Sequence, residues 1–167
     1  DLIIVAARPG MGKTAFTLSM ARNMAIDYGA PVAFFSLEMS SVQLITRLIS
    51  SETGLSSEKL RTGKLEKHEW EQLSIKVKDL EKAPLFIDDT SAMTIPKMRT
   101  ILNKIRKKHG KLGAVLVDYL QLVRPVEKFN NKNDELSEVS KALKAFSKEF
   151  DCPVIALAQL NRECEKR

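Results

Sequence analysis

Cysteine is scarce in this 167-residue chain, aromatic residues are few, and long apolar runs are missing. Cys152 and Cys164 are the only thiols; they fall outside any CxxC spacing and have no histidine cluster beside them. That excludes a disulfide framework and a Cys/His metal site, and leaves reduced thiols of the cytosolic kind. No stretch reaches the roughly 20 apolar residues of a bilayer-spanning helix, and no charged-then-apolar leader opens the chain, so no membrane partner is expected and the cytoplasm is the expected location. Pro-, Ser- or Gly-rich linkers and internal repeats are absent too, which argues for one domain over 1–167 with enough apolar residues for a full core. One further absence is local. A phosphate-binding loop of the form G-x-x-x-x-G-K-[ST] requires glycine at position 7, and this chain has Ala7.

What is present has a clear period. The apolar runs 2–7, 32–38, 85–89, 114–119 and 153–159 are nearly unbroken, as in strands buried on both faces. Between them lie stripes at helical spacing. Ser40 and Gln43 form a capping box ahead of Val42, Ile45, Leu48 and Ile49, with Gly54 as the stop. Trp70, Leu73, Val77 and Leu80 make a second stripe, ended by Pro84. Met98, Ile101, Leu102 and Ile105 make a third, ended near Gly110, and Leu136, Val139, Leu143, Phe146 and Phe150 a fourth. Strands alternating with helices predict an α/β fold: a mostly parallel sheet with helices on both faces.

In such sheets the ligand crevice lies beyond the carboxyl ends of the strands, and here those ends carry Glu38, Asp88, Asp89, Asp118 and Gln159. The loop of Arg8, Pro9, Gly10, Met11, Gly12, Lys13, Thr14 and Ala15 follows the first strand at the same edge. Phosphate binding needs backbone N–H groups turned inward and a helix N-terminus behind them. Gly10 and Gly12 permit the close approach, Pro9 stiffens the entry, and Ala7 adds only a methyl. Lys13 suits the β- and γ-phosphates of ATP and the Thr14 hydroxyl suits Mg²⁺. Asp118 is the natural carboxylate partner of that ion, but Asp88 and Asp89 close an equally apolar run, and spacing does not choose among them. Glu38 is placed to act as general base toward water and Gln159 to contact the γ-phosphate; a solvated strand end is the alternative for each.

With these residues in place the chain resembles the RecA-like ATPase domain of the bacterial replicative hexameric helicases, the DnaB family. The stretches that carry the resemblance are "ARPGMGKT", "FFSLEMS", "LFIDDTSAMT", "VLVDYLQL" and "LAQLNR", in this order along almost the whole chain. That family tolerates alanine where other phosphate loops have their first glycine. The resemblance implies a RecA-like fold and an ATPase that encircles single-stranded DNA as a homohexamer and unwinds the duplex, with primase and a helicase loader as partners. By position it makes Lys13 and Thr14 the phosphate and Mg²⁺ residues, Glu38 the catalytic glutamate, Asp118 the Walker B acid, and Gln159 the γ-phosphate sensor ahead of a DNA-contacting loop. Asp88 and Asp89 become supporting residues.

Both ends of the chain read as cut. The family's N-terminal helical domain, linker helix and arginine finger are not found in the sequence, so weak hydrolysis by this stretch alone is expected. The net charge of +6 suits a polyanion without requiring one. Segment 124–135 has the composition of a mobile loop; the resemblance to RecA-like rings, where this loop faces the central channel, makes Lys128 and Lys132 candidate DNA-phosphate contacts, with a solvated surface loop as the alternative. Seven basic residues and no acid fall between Lys97 and Lys111, the pattern of a solvated helix face or a partner patch. A RecA-like recombinase, a phosphate-loop phosphotransferase using the same Lys13 and Asp118, and a nucleotide-binding module without turnover are the competing functions.

Overall fold

The computed structural model describes residues 1–127 and 129–160. Among the described residues, five strands form one sheet: β1 (Leu2–Ala7), β2 (Val32–Ser36), β3 (Leu85–Asp88), β4 (Ala114–Asp118) and β5 (Val154–Gln159). Their order is β1-β5-β4-β2-β3, and every pairing is parallel. Each strand lies within its predicted apolar run and stops at or before the predicted end. β2 ends at Ser36, so Glu38 sits in the bend beyond it.

Among the described residues there are six α-helices: α1 (Lys13–Arg22), α2 (Ser41–Thr53), α3 (Ser57–Thr62), α4 (Lys67–Lys82), α5 (Ile95–His109) and α6 (Lys132–Glu149). Alternation along β2 shows how the layers form. Val32 and Phe34 pack with Leu18, Ala21, Leu44 and Leu48, so α1 and α2 cover one face. Ala33 and Phe35 pack with Met98, Leu102, Val139, Leu143 and Phe146, so α5 and α6 cover the other. Because β2 and β4 are wholly buried, their sequences are continuous apolar runs with no polar face.

The Ser40–Gln43 capping box and the left-handed Gly54 stop bound α2 as expected, yet its stripe turns differently. Leu44 and Leu48 face the core while Val42 and Ile45 are exposed, because α2 carries apolar residues on two faces and packing against Val32 and Phe34 of β2 selects one. Trp70 is likewise half exposed on α4. The predicted loop 124–135 is shorter than its composition suggests. Asn131 accepts a hydrogen bond from the Asn133 N–H and starts α6 at Lys132. Lys128 and Cys164 lie outside the described residues; Cys152 is buried with a free thiol.

Candidate functional site

The loop from Arg8 to Gly12 joins β1 to α1 at the carboxyl edge of the sheet. Gly10 and Gly12 adopt φ of 78° and 80°, a region that side chains disfavour, and Gly12 caps α1 in that conformation. No atom lies within 4 Å of where a Cβ would stand on either glycine, so backbone strain, not crowding, selects glycine there. The first turn of α1 contains no acidic residue, leaving its positive end for an outside anion.

Lys13 is buried, and its ammonium lies 5.4 Å from the centre of the Tyr119 ring, within cation–π range. Burial, reinforced by the nearby carboxylates of Glu38 and Asp118, raises the Tyr119 phenol pKa, so the ring next to Lys13 stays neutral. Thr14 donates its hydroxyl hydrogen to Asp118 Oδ2 at 2.7 Å, joining α1 to the end of β4. Asp118 is 1% exposed, and its Oδ1 is buried with no hydrogen-bond partner among the described residues. An unsatisfied carboxylate oxygen inside a protein is costly, and a cation resting against Thr14 and Asp118 would satisfy it. No cluster of three or more His, Cys, Asp or Glu side chains is placed to hold a metal among the described residues. That sparse set fits Mg²⁺, which commonly takes one or two protein oxygens and completes its shell with water and phosphate.

Thr14 also lines a cleft of ≈ 550 Å³, within the usual range for small-ligand sites, which Asp118 does not line. Pro9, Gly10, Gly12, Lys13, Thr14 and Ala15 line it, and Glu38 and Gln159 reach it from beyond β2 and from the end of β5. Arg8 and Met11 do not line it, and Met11 is 70% exposed. Met39, Gln43 and Arg47 do line it, and sequence reasoning misses all three as site residues. Gln43 reads from sequence only as a capping residue. Arg47 lies one helical turn further along α2, and that i, i+4 spacing is the signal that could reveal it.

Asp88 and Asp89 stand elsewhere. Asp88 Oδ1 accepts the Thr90 N–H at 2.9 Å and Asp89 Oδ2 accepts the Ser41 N–H at 2.6 Å, so both are spent on local turns and on the start of α2. Their strand, β3, is the sheet edge opposite β1. His68 lies 3.4 Å from Glu66 on the surface, and the His109 ring meets Phe86 at a tilt of 58° with centroids 5.1 Å apart.

A parallel sheet covered on both faces, with a glycine loop leading into a helix at its carboxyl edge, defines the class as a RecA-like phosphate-loop domain. The chain belongs to the DnaB-like helicase C-terminal domain family, which it matches over residues 1–167. It is 44% identical to the replicative DNA helicase DnaB of Buchnera aphidicola subsp. Baizongia pistaciae and 43% identical to that of Geobacillus stearothermophilus, each over the whole chain. It spans 36% and 37% of those proteins. Among solved structures it superposes on an ATPase domain with a TM-score of 0.92 at 31% identity, covering 100% of this chain and 60% of that one. A DnaB-like replicative helicase described with its interactions with primase gives 0.90 at 31% identity, covering 100% and 40%.

Proposed function

We propose that this chain is the ATP-hydrolysing motor domain of a replicative DNA helicase, coupling hydrolysis to translocation on single-stranded DNA and to duplex unwinding in a homohexamer. The observation that carries the reading is the cleft onto which Pro9, Gly10, Gly12, Lys13, Thr14, Glu38 and Gln159 converge, with Thr14 bonded to Asp118.

Each residue then has a distinct task. Lys13 leaves the Tyr119 ring to meet the β- and γ-phosphates, while the loop N–H groups and the α1 N-terminus hold their oxygens. Thr14 and Asp118 would hold Mg²⁺, which would supply positive charge against the negative charge of the β- and γ-phosphates. Glu38, which lines the cleft, orients the attacking water and takes its proton. Gln159, at the end of β5, contacts the γ-phosphate and transmits its loss to the chain that follows. Family membership supports single-stranded DNA as the track, and the primase contacts of the related helicase support primase as a partner; a loader and a cytoplasmic location follow from the same reading. Among the described residues no helix is long and apolar enough to cross a membrane.

ATP hydrolysis by the full-length protein, with and without single-stranded DNA, tests the reading. Stimulation by DNA is expected, and Glu38→Gln should lower turnover by about 10²–10⁴. Transfer of phosphate to a small acceptor, with no release of inorganic phosphate, would instead make the protein a phosphotransferase.

A further inference from the structure

The end of β5 contains a substitution of side chain for strand. In a parallel strand, alternate residues turn both N–H and C=O toward opposite neighbours. Here the Val154 and Leu160 N–H groups bond Asp1 and Ala7 on the β1 side, and the Pro153 carbonyl accepts the Val115 N–H on the β4 side. Gln159 shares the phase of Pro153 and so points its backbone toward β4. The β4–β5 register, however, ends at Val117 and Ala156, because β4 gives way after Asp118 to a 3₁₀ turn over Leu120–Leu122. The missing partner is supplied by one residue of that turn. Gln121 Nε2 donates to the Gln159 carbonyl at 3.0 Å, and Gln121 Oε1 accepts the Gln159 N–H at 3.3 Å. A primary amide offers the same donor and acceptor as a peptide group, so both bonds are met at once.

The turn itself is anchored. Leu120 and Val123 are buried, and the Val123 N–H bonds the Leu120 carbonyl at 3.2 Å. Gln121 therefore ties a fixed point three residues from Asp118 to the backbone of a residue that lines the cleft.

We propose that Gln121 is a positioning residue: its amide takes the place of a strand residue beside Gln159, holds the Gln159 side chain toward the cleft, and links the Asp118 turn to the end of β5. This rests on the nucleotide-hydrolysing reading of the cleft. Two measurements on Gln121→Met, which keeps bulk and removes both hydrogen bonds, test it separately. Residue-resolved amide exchange on the chain should show the Gln159 N–H exchanging about fivefold faster, with Leu160, bonded to Ala7, unchanged. In the full-length protein, kcat for DNA-stimulated ATP hydrolysis should fall about tenfold with KM for ATP within about twofold, since Gln121 touches no phosphate site. Gln121→Glu, which keeps an acceptor for the Gln159 N–H and loses the donor to its carbonyl, should lower kcat like Gln121→Met while speeding exchange at Gln159 less. Unchanged exchange at Gln159 would overturn the amide clamp. Faster exchange with kcat intact would overturn the positioning role. A wild-type protein that does not hydrolyse ATP would overturn the positioning role together with the nucleotide reading, while the exchange result would still decide the clamp.

Discussion

Two strand ends in this chain look alike in sequence and behave oppositely. "AVLVD" and "LFIDD" are both apolar runs closed by aspartate. Asp118 is sealed inside, bonded to Thr14 and left with an oxygen that no described residue satisfies. Asp88 and Asp89, near the surface, are satisfied by neighbouring backbone N–H groups. The lesson is that an acid's function is set by which strand lies beside which. β4 sits two places from β1 and its loop, whereas β3 is at the far edge. An unsatisfied interior carboxylate is a stability cost that a functional site tolerates, and satisfied ones serve the fold.

The largest effect that would break this contrast is at Asp118. Asp118→Asn should reduce ATP hydrolysis by about 10²–10³, and in chelator the variant should melt higher than the wild type because a buried charge is gone. Added Mg²⁺ should raise the melting temperature of the wild type and not of the variant. Equal response of both proteins would place the ion elsewhere.

The same assay at the other strand end should give a small effect. Asp89→Ala is expected to leave hydrolysis within about twofold, since only the start of α2 loses a partner. The Ser41 N–H holds the Asp89 carboxyl below the usual carboxylate range. Because the folded pKa is depressed, its contribution is present at neutral pH and fades as pH falls through the folded value. Melting curves of the variant and wild type should therefore converge in acid.

Glu52 sharpens the comparison as a third kind of acid, one held by a cation. Arg22 grips it with Nε and Nη2, and hydrogen bonding from that guanidinium, against the cost of burial, holds the Glu52 pKa below its ordinary value. Glu52→Gln should lower the melting temperature by about 2–4 °C at pH 7, for a loss of about 1 kcal/mol. The difference should shrink as pH falls below the ordinary glutamate range, with no change in KM for ATP.

Much of this is legible in the sequence because it is local. All five strands, the Ser40–Gln43 cap, the glycine loop and the α5 and α6 stripes depend on residues a few positions apart. What escapes depends on distant neighbours. The Val42–Ile45 stripe is misphased because two apolar faces are available on α2 and only the sheet selects one. Tyr119 and Arg47 are missed because what gives each its place is distant in the chain: Lys13 beside the Tyr119 ring, and the glycine loop across the cleft that Arg47 lines.

By itself the sequence determined the alternation of strands and helices, the loop that can take a phosphate, and which polar residues end strands. These follow from periodicity, capping and backbone freedom, which act over a single turn or pleat. Tertiary structure alone decided that Thr14 meets Asp118 across 104 residues, and that a glutamine side chain completes the end of β5. Strand order is chosen by how both faces of the sheet are buried together, so no local stretch encodes it.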